Sequence, residues 1–187
     1  MCKKLVTLLV SAVLLCGTAL FADDFDWSKT WCNYGAGIEK GDKILAVDAG
    51  IPWTYFEAFN TGGFAIPEIT VDFQIACPIW KLPFSFGGYG SFGFESYHYG
   101  NDVYSHVLTS FGGCATYHVM LPPKQLDTYV SLKSGVRMDW SNYYTGGHLI
   151  SFDYGFNLGA SWFFSDKFGV NLELGYPFNR FGMIFKF

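Results

Sequence analysis

The chain is poor in charge. Asp, Glu, Lys and Arg make up 15% of its 187 residues, against about 25% in an ordinary soluble domain. A water-soluble surface is therefore not expected. Beyond the N-terminus there is no run of the ~20 apolar residues that a spanning helix needs, so a helical membrane protein is not expected either. The formal net charge is −4 and no basic patch exists, which argues against nucleic acid as a partner. No glycine-rich phosphate loop is present. No nucleophile stands at a telling spacing from the rim histidines His98 and His148, so an enzyme is not expected, and neither is a cofactor. His106 and His118 would lie about 40 Å apart on one extended segment, too far to share a metal. Past the N-terminus only Cys32, Cys77 and Cys114 remain; an odd count argues against a disulfide framework.

What is abundant is apolar and aromatic: 50% and 20% of the residues, with 22 glycines and 7 prolines between them. Many short strands and turns follow from such a composition. Residues 1–22 read as a signal peptide. Lys3 and Lys4 precede the apolar Leu5 to Leu15, and Ala22 gives way to Asp23-Asp24. Cleavage there takes the net charge from −4 to −6 and leaves 23–187 as one domain. Cys16 follows Leu15 where a lipidated cysteine has a small residue before it, so lipidation is not expected.

Strict alternation is the strongest signal. Ile150, Phe152, Tyr154, Phe156, Leu158, Ala160 and Trp162 share one parity; Ser151, Asp153, Gly155, Asn157, Gly159 and Ser161 share the other. Successive side chains of a strand point to opposite faces. The pattern repeats from Phe168 to Tyr176 and from Val130 to Trp140, where Ser134 is the one exception. It recurs, with more noise, over Glu68 to Cys77, Phe84 to Glu95 (Tyr89 falling on the polar side), His106 to Val119, Lys43 to Trp53 and Arg180 to Phe187. This makes eight strands. Short turns are expected near 81–83, 121–126 and 165–167. Longer loops are expected over 54–64, 97–105 and 141–147, with a short one near 177–179. Where the barrel begins is open, because Trp31 to Asp42 could be an extension or an earlier start.

The expected fold is all-β, an eight-stranded antiparallel up-and-down transmembrane β-barrel. The interior of such a barrel barely holds its own side chains. The bulky aromatic class is too large to fit there, so it faces lipid, and the Gly, Ser and Asn class faces inward. Trp53, Tyr97, Trp140, Tyr143, Tyr144 and Tyr176 are expected in an outer aromatic girdle. Trp80, Phe84, Tyr129, Trp162, Phe168 and Phe185 are expected in an inner one. The inward parity carries Asp48, Glu68, Asp72, Glu95, Lys133, Arg137, Asp139, Asp153 and Glu173. Buried charges of both signs must pair, which predicts a polar plug in the lumen. Arg137 is expected opposite Asp153. The alternative is a narrow pore with these residues as its lining.

The chain ends Arg180-Phe181-Gly182-Met183-Ile184-Phe185-Lys186-Phe187. This resembles the β-signal of outer-membrane proteins, with Arg180, Gly182, Phe185 and Phe187 at its polar, glycine, aromatic and terminal aromatic positions. With the alternation, it makes the chain resemble the small eight-stranded barrels of the OmpA, OmpX and OmpW type. The resemblance implies a place in the bacterial outer membrane, contact with its lipid, and recognition by the barrel-assembly machinery. It also implies, for OmpW-type relatives, passage or lateral release of small hydrophobic or ionic solutes. No peptidoglycan-binding domain follows the barrel, so that kind of tether is not expected.

Overall fold

The computed structural model describes residues 29–52, 60, 62–142 and 147–187. The expected signal peptide, Cys16, Trp53, Tyr143, Tyr144 and most of the 54–64 loop lie outside them. Eight strands form: β1 (Lys43–Pro52), β2 (Phe64–Ala76), β3 (Phe84–Tyr99), β4 (Asp102–Met120), β5 (Leu126–Ser141), β6 (His148–Phe163), β7 (Phe168–Tyr176) and β8 (Phe178–Lys186). Each pairs antiparallel with the next, and β1 pairs with β8, so the sheet closes into an eight-stranded up-and-down barrel. Closure pairs the edges that an open sheet would expose.

The two parities part as the alternation requires. Along β2, Ile69, Val71, Phe73 and Ile75 are exposed while Glu68, Thr70, Asp72 and Gln74 are buried. Along β6 and β7, Phe156, Leu158, Leu172 and Leu174 point out and Asn157, Ser161, Asn171 and Glu173 point in. Exposed Ser134 and buried Tyr89 both follow their parity. Trp140 and Tyr176 near the outer ends, and Trp162 and Phe168 near the inner ends, are exposed as girdle residues should be.

Two expected girdle residues are corrected. Tyr129 points inward, 7% exposed, and donates to Asn171 Oδ1 at 2.7 Å. Its neighbour across the ladder is Gly159, where any Cβ would collide with its ring. A bulky side chain enters a small lumen only where a glycine opposite leaves the space. Tyr97 also points inward, its ring against His106 at 5.4 Å. Strand parity decided both orientations over aromatic character.

The 97–105 segment is corrected as well. It is no loop: β3 and β4 run up to the two-residue turn Gly100-Asn101, with Gly100 at φ 64. A left-handed first turn position favours glycine. Tyr97 and Tyr104 pair across the hairpin with ring centroids 5.7 Å apart. Strand-forming tyrosines outside the lipid band lack the apolar-out pattern, so the segment reads as loop in the sequence. The last strand starts at Phe178 rather than Arg180, and β5 starts at Leu126 rather than Val130.

Residues Lys29–Asp42 fall outside the barrel wall and fold under its inner mouth. Tyr34 donates to Phe84 O at 2.6 Å, Tyr117 donates to Trp31 O, and Lys186 Nζ donates to Gly37 O at 2.7 Å. Ile38 inserts into an apolar cluster with Ile44, Ala46, Ala76, Phe163 and Ile184.

The wall is uneven in height. β3 to β6 have 16 to 19 residues, whereas β1, β7 and β8 have 9 or 10. About 9–11 residues cross a bilayer. The four long strands therefore project beyond the outer end of β7 and β8.

Candidate functional site: the closed lumen

All nine charged residues expected inside lie on the inward parity. The centre is a belt of opposite charges. Lys133 Nζ stands 2.5 Å from Asp72 Oδ2 and 3.6 Å from Glu173 Oε2. Arg180 reaches the same two acids, at 2.9 Å from Glu173 and 3.8 Å from Asp72. Asp48 accepts from Asn171 Nδ2 at 3.1 Å. Five strands supply this belt, so no local stretch of sequence spells it. Removing charge from water costs several kcal/mol per ion, and each belt member offsets this only through partners on other strands.

Outward of the belt, Arg137 Nη2 lies 3.9 Å from Glu68 Oε2. Asp153 instead accepts from the Tyr89 hydroxyl at 2.6 Å. Arg137 and Asp153 are thus near one another, as expected, but each has a different partner. The ladder sets Arg137 opposite Ser151 and Asp153 opposite Gly135, a diagonal offset of two. Glu95 is buried in register with His106, and Asp139 lies 2.9 Å from His106 Nδ1.

Several lumen residues escaped the sequence reading. Arg180 was assigned to the C-terminal signal alone, yet it is 3% exposed at the heart of the belt. Asp127, His118 and Tyr129 sit one layer inward. Asp127 and Tyr129 share the parity of Ser131 and Lys133, a signal lost where the alternation is read only from Val130; His118 already falls on the polar parity of its own strand, β4. Gly182 faces Asp48, where a Cβ would meet the Asp48 carboxylate. Phe185 packs outside on Phe168 at 5.4 Å. Phe187 exchanges two backbone hydrogen bonds with Lys43.

Among the described residues two Ser–His–Asp constellations occur. Ser85 Oγ is 2.9 Å from His118 Nε2, and His118 Nδ1 is 2.9 Å from Asp127 Oδ2. Ser141 Oγ is 3.2 Å from His106 Nε2, with Asp139 beyond. A working triad needs a reachable nucleophile and free donors for an oxyanion. Ser85 is 0% exposed and donates its one proton to Gln74 Oε1 at 2.6 Å. Ser141 is buried and its N–H goes to Gly147 O. As arranged, both sets are polar cross-links between strands.

Little space remains. A void of about 10 Å³ lies outward of the belt, bordered by Glu68, Tyr89, Asp153, Tyr154 and Pro177. One of about 20 Å³ lies inward, bordered by Gln74, His118, Asp127 and Tyr129. Each is at about the size that admits a single water molecule. Below the inner void come the apolar cluster and the Lys29–Asp42 cap. Asp48, Asp72 and Glu173 approach one another closely enough for a cation, but Lys133 and Arg180 already occupy that role.

No protein-family model matches the chain, and no curated protein matches it in sequence. Solved structures do resemble it. One is a de novo designed transmembrane β-barrel, at 14% identity and TM-score 0.45, covering 80% of this chain and 98% of that one. Another is the N-terminal β-barrel domain of Pseudomonas aeruginosa OprF, at 17% identity and TM-score 0.41, covering 79% and 98%. A third is Ail, the attachment invasion locus protein of Yersinia pestis, at 9% identity and TM-score 0.37, covering 80% and 100%. The fold assignment stands on the chain's own closed ladder.

Proposed function

We propose that this chain is an integral protein of the bacterial outer membrane, exported through a cleaved signal peptide. Its polar lumen is plugged, and its role is structural or surface-interacting rather than catalytic. The carrying observation is the Asp72–Lys133–Glu173–Arg180 belt, which among the described residues leaves voids of only about 10 Å³ and 20 Å³ directly outward and inward of it. The membrane reading is supported by the ring of exposed Phe73, Phe111, Leu132, Phe156, Leu172 and Phe181. Such an apolar surface, far larger than soluble monomers carry, suits lipid. The barrel-assembly machinery is the expected partner in biogenesis, through the C-terminal strand.

A second reading, lateral release of a small hydrophobic solute, has one observation in its favour. The outer void is bordered by Tyr154, Gly155 and Pro177, at the low point of the wall. Purified protein in planar bilayers tests the choice. The plugged reading predicts no conductance steps, and reproducible steps would overturn it. Uptake of a fluorescent fatty acid by vesicles carrying the protein would favour lateral release.

A further inference from the structure

We propose that the inner rim of the barrel is a ring of lysine contacts that selects negatively charged phospholipids of the inner leaflet as its neighbours. The chain has 12 lysines and arginines, and Lys3 and Lys4 belong to the expected signal peptide. Lys133, Arg137 and Arg180 point into the lumen. All the others, from Lys29 to Lys186, lie at the inner end. No lysine or arginine remains for the outer rim.

At this end the strands meet in four places, the β8–β1 seam and three turns, and each place carries one exposed lysine. Lys43 stands at the seam, Lys81 in the β2–β3 turn, Lys124 in the β4–β5 turn and Lys167 in the β6–β7 turn. Neighbouring lysines are two strands apart, roughly 12 Å around the mouth at ~4.8 Å per strand and a ~40° tilt. Asp166 is the one carboxylate exposed in these turns. None of the four lysines makes a side-chain ion pair with a described residue, whereas Lys133 and Lys186 are both engaged.

Each lysine lies at the level of the inner aromatic girdle. Phe187 is exposed and exchanges two backbone hydrogen bonds with Lys43. Lys167 directly precedes Phe168, and Lys124 is two residues from Leu126, which pairs with Trp162. Trp80 directly precedes Lys81 and is 92% exposed. Trp80 and Lys81 both have positive φ, 49 and 70, in a turn that usually calls for Asn and Gly. Trp80 gains almost no contact with the protein from this placement, so what it meets lies outside the protein. Aromatic rings at this level sit among lipid headgroups. A lysine beside them lays its stem along the apolar wall and brings its ammonium to a phosphate.

The occupant is a lipid phosphate rather than a soluble acidic polymer. A polymer in the water below the barrel would meet the cap first. There Lys40 stands against Glu39 and Asp42, and Lys186 is turned to the Ala36 and Gly37 carbonyls. The cations without a partner among the described residues are instead on the perimeter, where the bilayer is. Their spacing serves separate headgroups and not one chelated ion. Each basic side chain close to an anionic membrane surface favours it by about fivefold.

This inference rests on the membrane reading and not on the plugged lumen. A chain that does not enter bilayers fails that reading, whereas the test of the ring starts from protein already in them. The full chain is reconstituted in phosphatidylcholine vesicles at about pH 8, where an ordinary histidine is neutral. Spin-labelled phosphatidylglycerol or phosphatidylcholine is added in trace amounts, and the fraction immobilised against the protein is read by electron spin resonance. The expected result is a preference for phosphatidylglycerol of about fivefold or more. It falls towards unity in about 1 M salt, which screens charges beyond ~3 Å. Changing Lys43, Lys81, Lys124 and Lys167 together to Gln abolishes the preference, and Lys40→Gln keeps it. Equal immobilisation of the two lipids by the native chain overturns the proposal, whether or not the fourfold variant folds. Binding of soluble polygalacturonate in that case would assign the ring to an acidic polymer. A preference that the fourfold variant retains overturns the proposal as well.

Discussion

Lys133 stands between Asp72 and Glu173 with its side chain 4% exposed, and Arg180 closes the same group from β8. Removing one partner from a buried pair leaves a charge that neither water nor protein stabilises, at a cost of about 3–5 kcal/mol. Lys133→Met is predicted to lose that much in urea unfolding from bilayers. Asp72→Leu added to it should recover a large part, because the two residues act as one unit. A loss below about 1 kcal/mol for Lys133→Met would mean that water reaches the belt and the lumen is not plugged. The nine inward charges were legible at this scale because parity alone sorts them. Their partners were not, since Asp72 and Lys133 are 61 residues apart and meet only across a closed barrel.

The cap of residues 29–42 is the least legible element. It has no period of 2, and its placement depends on single contacts with strand ends. Tyr34 is one of these. Burial chiefly, and the nearby Cys77 thiol secondarily, push its phenol up to about 12 from an ordinary 10.0. The neutral form is the one the fold prefers. Its contribution is thus whole below pH 10, and it is lost as pH rises through about 12. A spin label at exposed Lys40 should be immobile at pH 9 and gain mobility as pH rises towards 12. Tyr34→Phe should flatten that dependence. A label that is mobile at every pH would show that the cap does not hold. By contrast β7, with its unbroken alternation from Phe168 to Tyr176, was legible to the residue. The β3–β4 hairpin beyond the lipid band was not, because there neither face needs to be apolar.

At the scale of the whole molecule two requirements meet: bulky side chains outside to meet lipid, and paired polar side chains inside to fill the lumen. The sequence carries the first as side-chain volume on one parity. It carries the second only as composition, since the layering becomes visible once eight strands close. That layering runs from the outer void through the charged belt, the inner void and the Ile38 cluster to the cap. Both requirements can be read together along β6. Spin labels are placed singly from Tyr154 to Trp162, Gly159 excepted because a side chain there would collide with the Tyr129 ring, with the native cysteines replaced, and the protein is reconstituted in bilayers. Accessibility to oxygen, which favours lipid, and to a water-soluble nickel chelate is then measured. The account predicts high oxygen accessibility at 154, 156, 158, 160 and 162, and low accessibility to both probes at 155, 157 and 161. Nickel access at the odd positions would contradict a plugged lumen. Nickel access at the even ones would contradict a barrel that faces lipid.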